Sequence, residues 1–97
     1  MHSLNWEPEA GLAYKNINRQ TAPLKSAVER ILDLLQKDPS DRSLRIKSLR
    51  TKTGYTIWKV PIRESLDNWS LLWIADPADA NAVLIVYLGP ASYGDTH

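Results

Sequence analysis

Ninety-seven residues, with 43% apolar and 24% charged side chains, place the chain in the ordinary globular range, long enough for one core but not two. The absence of cysteine excludes disulfides, thiolate metal sites and a thiol nucleophile. No segment approaches the roughly 18–20 apolar residues of a membrane span, and the start Met-His-Ser-Leu-Asn-Trp-Glu-Pro-Glu lacks the basic and apolar regions of a signal peptide, so a soluble protein of the cytoplasm is expected.

The net charge of +1 conceals a strong asymmetry. Between Arg42 and Arg63 the chain carries Arg42, Arg45, Lys47, Arg50, Lys52, Lys59 and Arg63 and no acidic residue, while residues 64–97 hold no Lys or Arg. An ordinary surface intersperses both signs, and a basic stripe on a small domain is the footprint of a polyanion, nucleic acid above all.

In chain order, Ser3-Leu4-Asn5-Trp6 reads as a short strand and Pro8-Glu9 as a helix entry, followed by Ala10, Ala13, Tyr14 and Ile17 at helical spacing. Thr21 and Pro23 start a second helix, whose stripe is Leu24, Ala27, Val28, Ile31, Leu32, Leu34 and Leu35, ending at Asp38-Pro39. The two helices, joined by about four residues, predict an antiparallel hairpin. Leu44-Arg45-Ile46-Lys47 then alternates like a strand, and Gly54 opens a second strand over 55–63. In that strand Trp58, Val60 and Ile62 share one face while Ile57, Lys59 and Arg63 share the other. Pro61 puts it at an edge or bulge. Trp69 to Ala75 predicts the next strand, Asp76–Asp79 a turn, and Val83 to Leu88 an apolar central strand covered on both sides. Trp58, Trp69, Trp73 and Tyr55 are expected in the core. The order β-α-α-β-β-β-β is an α+β domain over residues 1–97, with an antiparallel sheet and its helices on one face.

The inventory for chemistry is short. His2 and His97 lie near the two ends, no His/Asp/Glu spacing forms a metal site, and the glycines make no phosphate loop. Ser70 and Ser92 have no base signature, and Asp76 and Asp79 read as turn formers. Tyr93, beside Asp95 and His97 beyond the last strand, is a candidate for proton transfer if the tail folds over the basic strands.

Element order and short motifs together are similar to a known family. Trp6-x-Pro8-Glu9-Ala10, Ile31-Leu32-Asp33-Leu34-Leu35, Lys47-Ser48-Leu49, Gly54-Tyr55, Trp69-Ser70-Leu71-Leu72-Trp73 and Val86-Tyr87-Leu88-Gly89 resemble the RelE/ParE superfamily of toxins from bacterial type II toxin–antitoxin pairs, over nearly the whole chain. The resemblance implies an N-terminal helical hairpin packed on a twisted antiparallel sheet of four to five strands. It also implies a cognate antitoxin and one of two activities: cleavage of mRNA on the ribosome, or inhibition of DNA gyrase without a catalytic constellation. The nuclease branch typically has an arginine in the strand where this chain has Ser70, and often another after the final glycine, where this chain has Pro90 and Ala91. The expectation is therefore a ribosome-dependent, metal-independent endoribonuclease with a variant active site and no cofactor. Lys52, Lys59, Tyr93 and His97 are its catalytic candidates, and Arg42, Arg45, Lys47, Arg50 and Arg63 its nucleic-acid contacts. A gyrase-type toxin and a non-toxic basic-faced binding domain of the same fold are the alternatives.

Overall fold

The computed structural model describes residues 2–52, 54–62 and 68–90. Strand β1 (Ser3–Trp6) leads into helices α1 (Pro8–Lys15) and α2 (Ala22–Lys37), and then β2 (Lys47–Arg50), β3 (Thr56–Ile62), β4 (Trp69–Ala75) and β5 (Ala82–Pro90) follow. Single 3-10 turns at Ile17–Arg19 and Arg42–Leu44 connect them. The sheet order is β1-β5-β4-β3-β2. The expected α+β class and element order are found. The sheet is mixed rather than wholly antiparallel, because β1 joins β5 in parallel while every other pair is antiparallel.

Helix α2 begins where Thr21 accepts a hydrogen bond on its side chain from the Leu24 amide (3.4 Å), with a proline in the first turn and Lys37 in the last. Its stripe of Leu24, Ala27, Val28, Leu32 and Leu35 is buried against the sheet. Burying each of the larger aliphatic side chains stabilises the fold by about 1.5–3 kcal/mol. The connection between the helices, residues 16–21, is longer than expected because it contains a 3-10 turn that buries Ile17. Tyr14 of α1 reaches across to α2, donating a 2.7 Å hydrogen bond to Glu29, and its ring stacks on Trp6 at 4.9 Å.

Two strands differ from the expectation. The Leu44–Lys47 alternation is not a strand at its start: Asp41 accepts hydrogen bonds from the Ser43 amide (2.9 Å) and hydroxyl (2.6 Å), which folds residues 42–44 into a 3-10 turn. Leu44 is consequently buried from the turn, and β2 begins at Lys47. In β5 the apolar run contains a bulge, since Leu72 pairs with Tyr87 but Trp73 pairs with Ile85, which leaves Val86 as the extra residue. The bulge turns Val83, Ile85 and Leu88 all toward the helices, which strict alternation would not do. The strand is interior as expected, with Leu84, Val86 and Tyr87 half-buried. Pro61 fits its place because β2 pairs with β3 only as far as Lys59, so beyond that point β3 has β4 alone as a neighbour.

Trp69 and Trp73 are buried under the helices and Trp58 packs against them. Tyr55 is not in the core. It is 50% exposed at the β2–β3 hairpin, where the chain reverses beyond the cover of the helices. No helix among the described residues is long and apolar enough to cross a membrane.

Candidate nucleic-acid interface

Alternate residues of the strands point away from the helices and build a second face. Register fixes what stands beside what. Lys47 of β2 is opposite Lys59 of β3, Lys59 is opposite Leu72 of β4, and Leu72 is opposite Tyr87 of β5, making one row across four strands. The row on the β2–β3 hairpin side is Leu49 opposite Ile57, and the row on the other side is Pro61, Ser70 and Gly89. Side chains directly opposed in such rows have Cβ atoms about 4.5–5.5 Å apart. Lys47 is exposed, whereas Lys59 is only 4% exposed, an unusual depth for an ammonium group.

At the far end of the row, Tyr87 lies along its own strand and donates its hydroxyl to the Pro90 carbonyl at 2.8 Å. That pose needs Gly89, where an added Cβ would stand 2.7 Å from the tyrosine oxygen and 3.0 Å from the ring carbon bearing it. Ser70, opposite Gly89, is 1% exposed, and its hydroxyl has no hydrogen-bond partner among the described residues. A buried hydroxyl without a partner carries a desolvation cost, and this one is a diagonal neighbour of both Lys59 and Tyr87 across the adjoining strands.

The remaining basic residues are spread around this face. Arg50 is opposite Thr56, so it belongs to the helical side of the hairpin, and it is exposed. Lys52 is exposed in the hairpin turn, five residues beyond Lys47 and so up to about 16 Å along the strand direction from the level of Lys59 at roughly 3.3 Å per residue, and the two are not brought to one point. Arg42 is exposed on the 3-10 turn. Arg45 is exposed, its guanidinium sits 5.2 Å from the Trp58 ring centre and 5.4 Å from that of Trp73, and its Nε donates to the Pro39 carbonyl at 2.9 Å. Arg63, Tyr93 and His97 lie outside the described residues.

The perturbed groups stand elsewhere. The Tyr14 pKa is pushed up to about 12, chiefly by its hydrogen bond to Glu29 and then by burial and the glutamate charge. Asp41 is held below the usual carboxylate range by its hydrogen bonds from Ser43, and Asp76 by those from Asn5 and from the Ala78 amide. Tyr14 ties the two helices together, while Asp41 and Asp76 brace loops. The sequence reading missed Tyr87 as a member of the site. Its signal was a phenol interrupting an apolar run two residues before a glycine, but the bulge that aims it is a tertiary feature.

No protein-family model matches the sequence, and no curated protein matches it. Solved structures do match, and they share this architecture. The YoeB/ParE toxin from Agrobacterium tumefaciens superposes with a TM-score of 0.67 at 11% identity, covering 91% of this chain and 96% of that one. The YoeB dimer from Staphylococcus aureus gives 0.63 at 13% identity over 91% and 94% of the two chains. The YoeB–YefM complex of the same organism gives 0.56 at 17% identity over 92% and 95%. At these identities the likeness is one of fold.

Proposed function

We propose that the chain is the toxin of a type II toxin–antitoxin pair and acts in the cytoplasm as a ribosome-dependent, metal-independent mRNA endoribonuclease with a variant active site. The observation that carries this reading is the Lys47–Lys59 pair, two like charges directly opposed on the helix-free face of a fold shared with YoeB. A phosphate anion seated between two opposed ammonium groups is held by both. In the proposed reaction a ribose 2′-oxygen attacks the adjacent phosphorus, its proton passes to a base, the bond to the 5′-oxygen breaks, and that oxygen takes up a proton. Exposed Lys47 meets the phosphate and Lys59 beneath it stabilises the charge that builds on the phosphorane. Lys52 tracks the flanking backbone with Arg42, Arg50 and Arg63. Tyr93 and His97 are the proposed proton-transfer groups, and an imidazole titrates in the range such work requires.

The test is incubation with translating ribosomes in chelator. The expected outcome is cut mRNA with 2′,3′-cyclic phosphate ends, and removal of residues 93–97 lowers the rate by about 10²–10⁴, the usual worth of a proton-transfer group. Binding of RNA is expected to weaken steeply between about 50 and 200 mM salt. Lys47→Ala, Arg50→Ala and Lys52→Ala should each reduce the salt slope by about 0.7, the worth of one neutralised phosphate on a single strand. A gyrase-type, non-nucleolytic toxin is the second reading, favoured by Ser70 at a strand position where the nuclease branch typically has arginine. Absence of cleavage by the intact chain on ribosomes would select it. In either case an antitoxin is expected to be encoded beside this chain. YoeB is found in complex with YefM, and co-expression of the neighbouring frame here should relieve toxicity.

A further inference from the structure

The hairpin joining β2 and β3 carries an aromatic ring where a globular core would not place one. Tyr55 is 50% exposed and Leu49 40% exposed. By strand parity Ile57 and Lys59 share the helix-free face of β3, Leu49 and Lys47 share that face of β2, and Tyr55 stands in the turn one residue before β3. An exposed, apolar and aromatic step therefore runs from the tip toward the lysine row. The tip is held by its own backbone. The Thr51 amide donates to the Tyr55 carbonyl (2.9 Å), the Tyr55 amide donates to the Thr51 hydroxyl (3.1 Å), and the Gly54 amide donates to the Thr51 carbonyl (3.0 Å). Gly54 makes this possible with φ +91°, a left-handed conformation open to glycine. The ring is thus presented from a braced turn, and among the described residues the charged positions of β2, the turn and β3 are Lys47, Arg50, Lys52 and Lys59, all basic, with Arg50 on the opposite face.

From this juxtaposition we propose that Tyr55, at the tip beyond the exposed Leu49, is a stacking platform for a nucleobase of single-stranded RNA. It would hold the base that flanks the phosphate bound at Lys47. The proposal rests on the nucleic-acid reading above and adds a subsite to it. The chemistry follows from the pairing of functions: a flat π-surface accepts any base face, while cations on either side of it track the backbone. A protein segment docking on the same ring would meet a uniformly basic surround and need acidic flanks, which makes it the outcome to be excluded.

The experiment measures binding of a short unstructured RNA containing one 2-aminopurine, with the intact chain and with Tyr55→Ala, Tyr55→Trp and Lys47→Ala. The expected result is quenching of 2-aminopurine by the wild type, binding about tenfold to a hundredfold weaker for Tyr55→Ala, and near-wild-type binding for Tyr55→Trp. Because the phenol is uncharged, Tyr55→Ala keeps the wild-type salt slope, whereas Lys47→Ala lowers it. An RNA abasic at the reporter position should lose the same factor against wild type and nothing against Tyr55→Ala. Unchanged affinity and quenching in Tyr55→Ala, with RNA still bound in a salt-dependent way, overturns the platform and leaves the polyanion reading standing. Absence of RNA binding by the wild type at about 50 mM salt overturns both. Loss of antitoxin binding in Tyr55→Ala with RNA binding intact assigns the ring to a protein partner instead.

Discussion

The same strands present two unlike faces. Toward the helices, Ile62, Leu71, Trp73 and Ile85 are sealed from solvent. Toward the other side, the same strands carry Lys59, Ser70, Leu72 and Tyr87. A strand period of two lets a single segment such as Trp58-Lys59-Val60 serve both, one face for the core and one for polar chemistry. Lys59 and Ser70 are also buried, so burial alone does not separate the faces. What separates them is chemistry: the helical face is apolar, whereas the other gathers ammonium, hydroxyl and phenol groups.

Breaking the helical face should have the largest effect on stability. Trp73→Ala removes a 1% exposed indole, opens a cavity under Arg45 and leaves the Leu44 carbonyl without the indole N–H that donates to it at 3.1 Å. A loss of about 3–5 kcal/mol is expected in urea unfolding. On the other face Lys47→Ala should stay within about 0.5 kcal/mol of wild type. Equal losses in the two variants would erase the distinction between the faces.

A smaller effect tests how the open face is shaped. Gly89→Ala places a methyl group against the Tyr87 hydroxyl, so the ring must leave its bond to the Pro90 carbonyl. The expected cost is about 1–3 kcal/mol, the range for overpacking. Adding Tyr87→Ala to Gly89→Ala should remove most of the clash, so the two costs are less than additive in a double-mutant cycle.

The smallest effects are at the rim, where titrating groups tie loops to the sheet. Asp76 accepts 2.7 Å and 2.8 Å hydrogen bonds from Asn5 and the Ala78 amide, which link β1 to the β4–β5 turn. Its folded pKa is lowered, so its contribution is present above the usual carboxylate range and is lost as pH falls through the lowered value. Asp76→Asn should flatten the acid limb of stability against pH below about 4, leaving the part that Asp41 contributes. Tyr14 has the opposite sign. With its pKa raised to about 12, its contribution is full below about 10 and is lost as pH rises toward 12, a limb that Tyr14→Phe should lack.

Much of the fold was legible in local pattern. The stripe from Leu24 to Leu35, the limits of β4 and the shared face of Trp58, Val60 and Ile62 follow from periods of 3.6 and 2, which a chain carries wherever it folds. The block from Arg42 to Arg63 was equally visible, because charge needs no geometry to be counted. The tertiary structure alone decided the rest. It set β1 parallel to β5, bulged β5 at Val86, turned Arg45 onto two indoles, left Tyr55 outside the core and brought Lys47, Lys59 and Tyr87 into one row. Each of these depends on which strand lies beside which and in what register, a choice made between residues far apart in sequence, where local propensity carries no information.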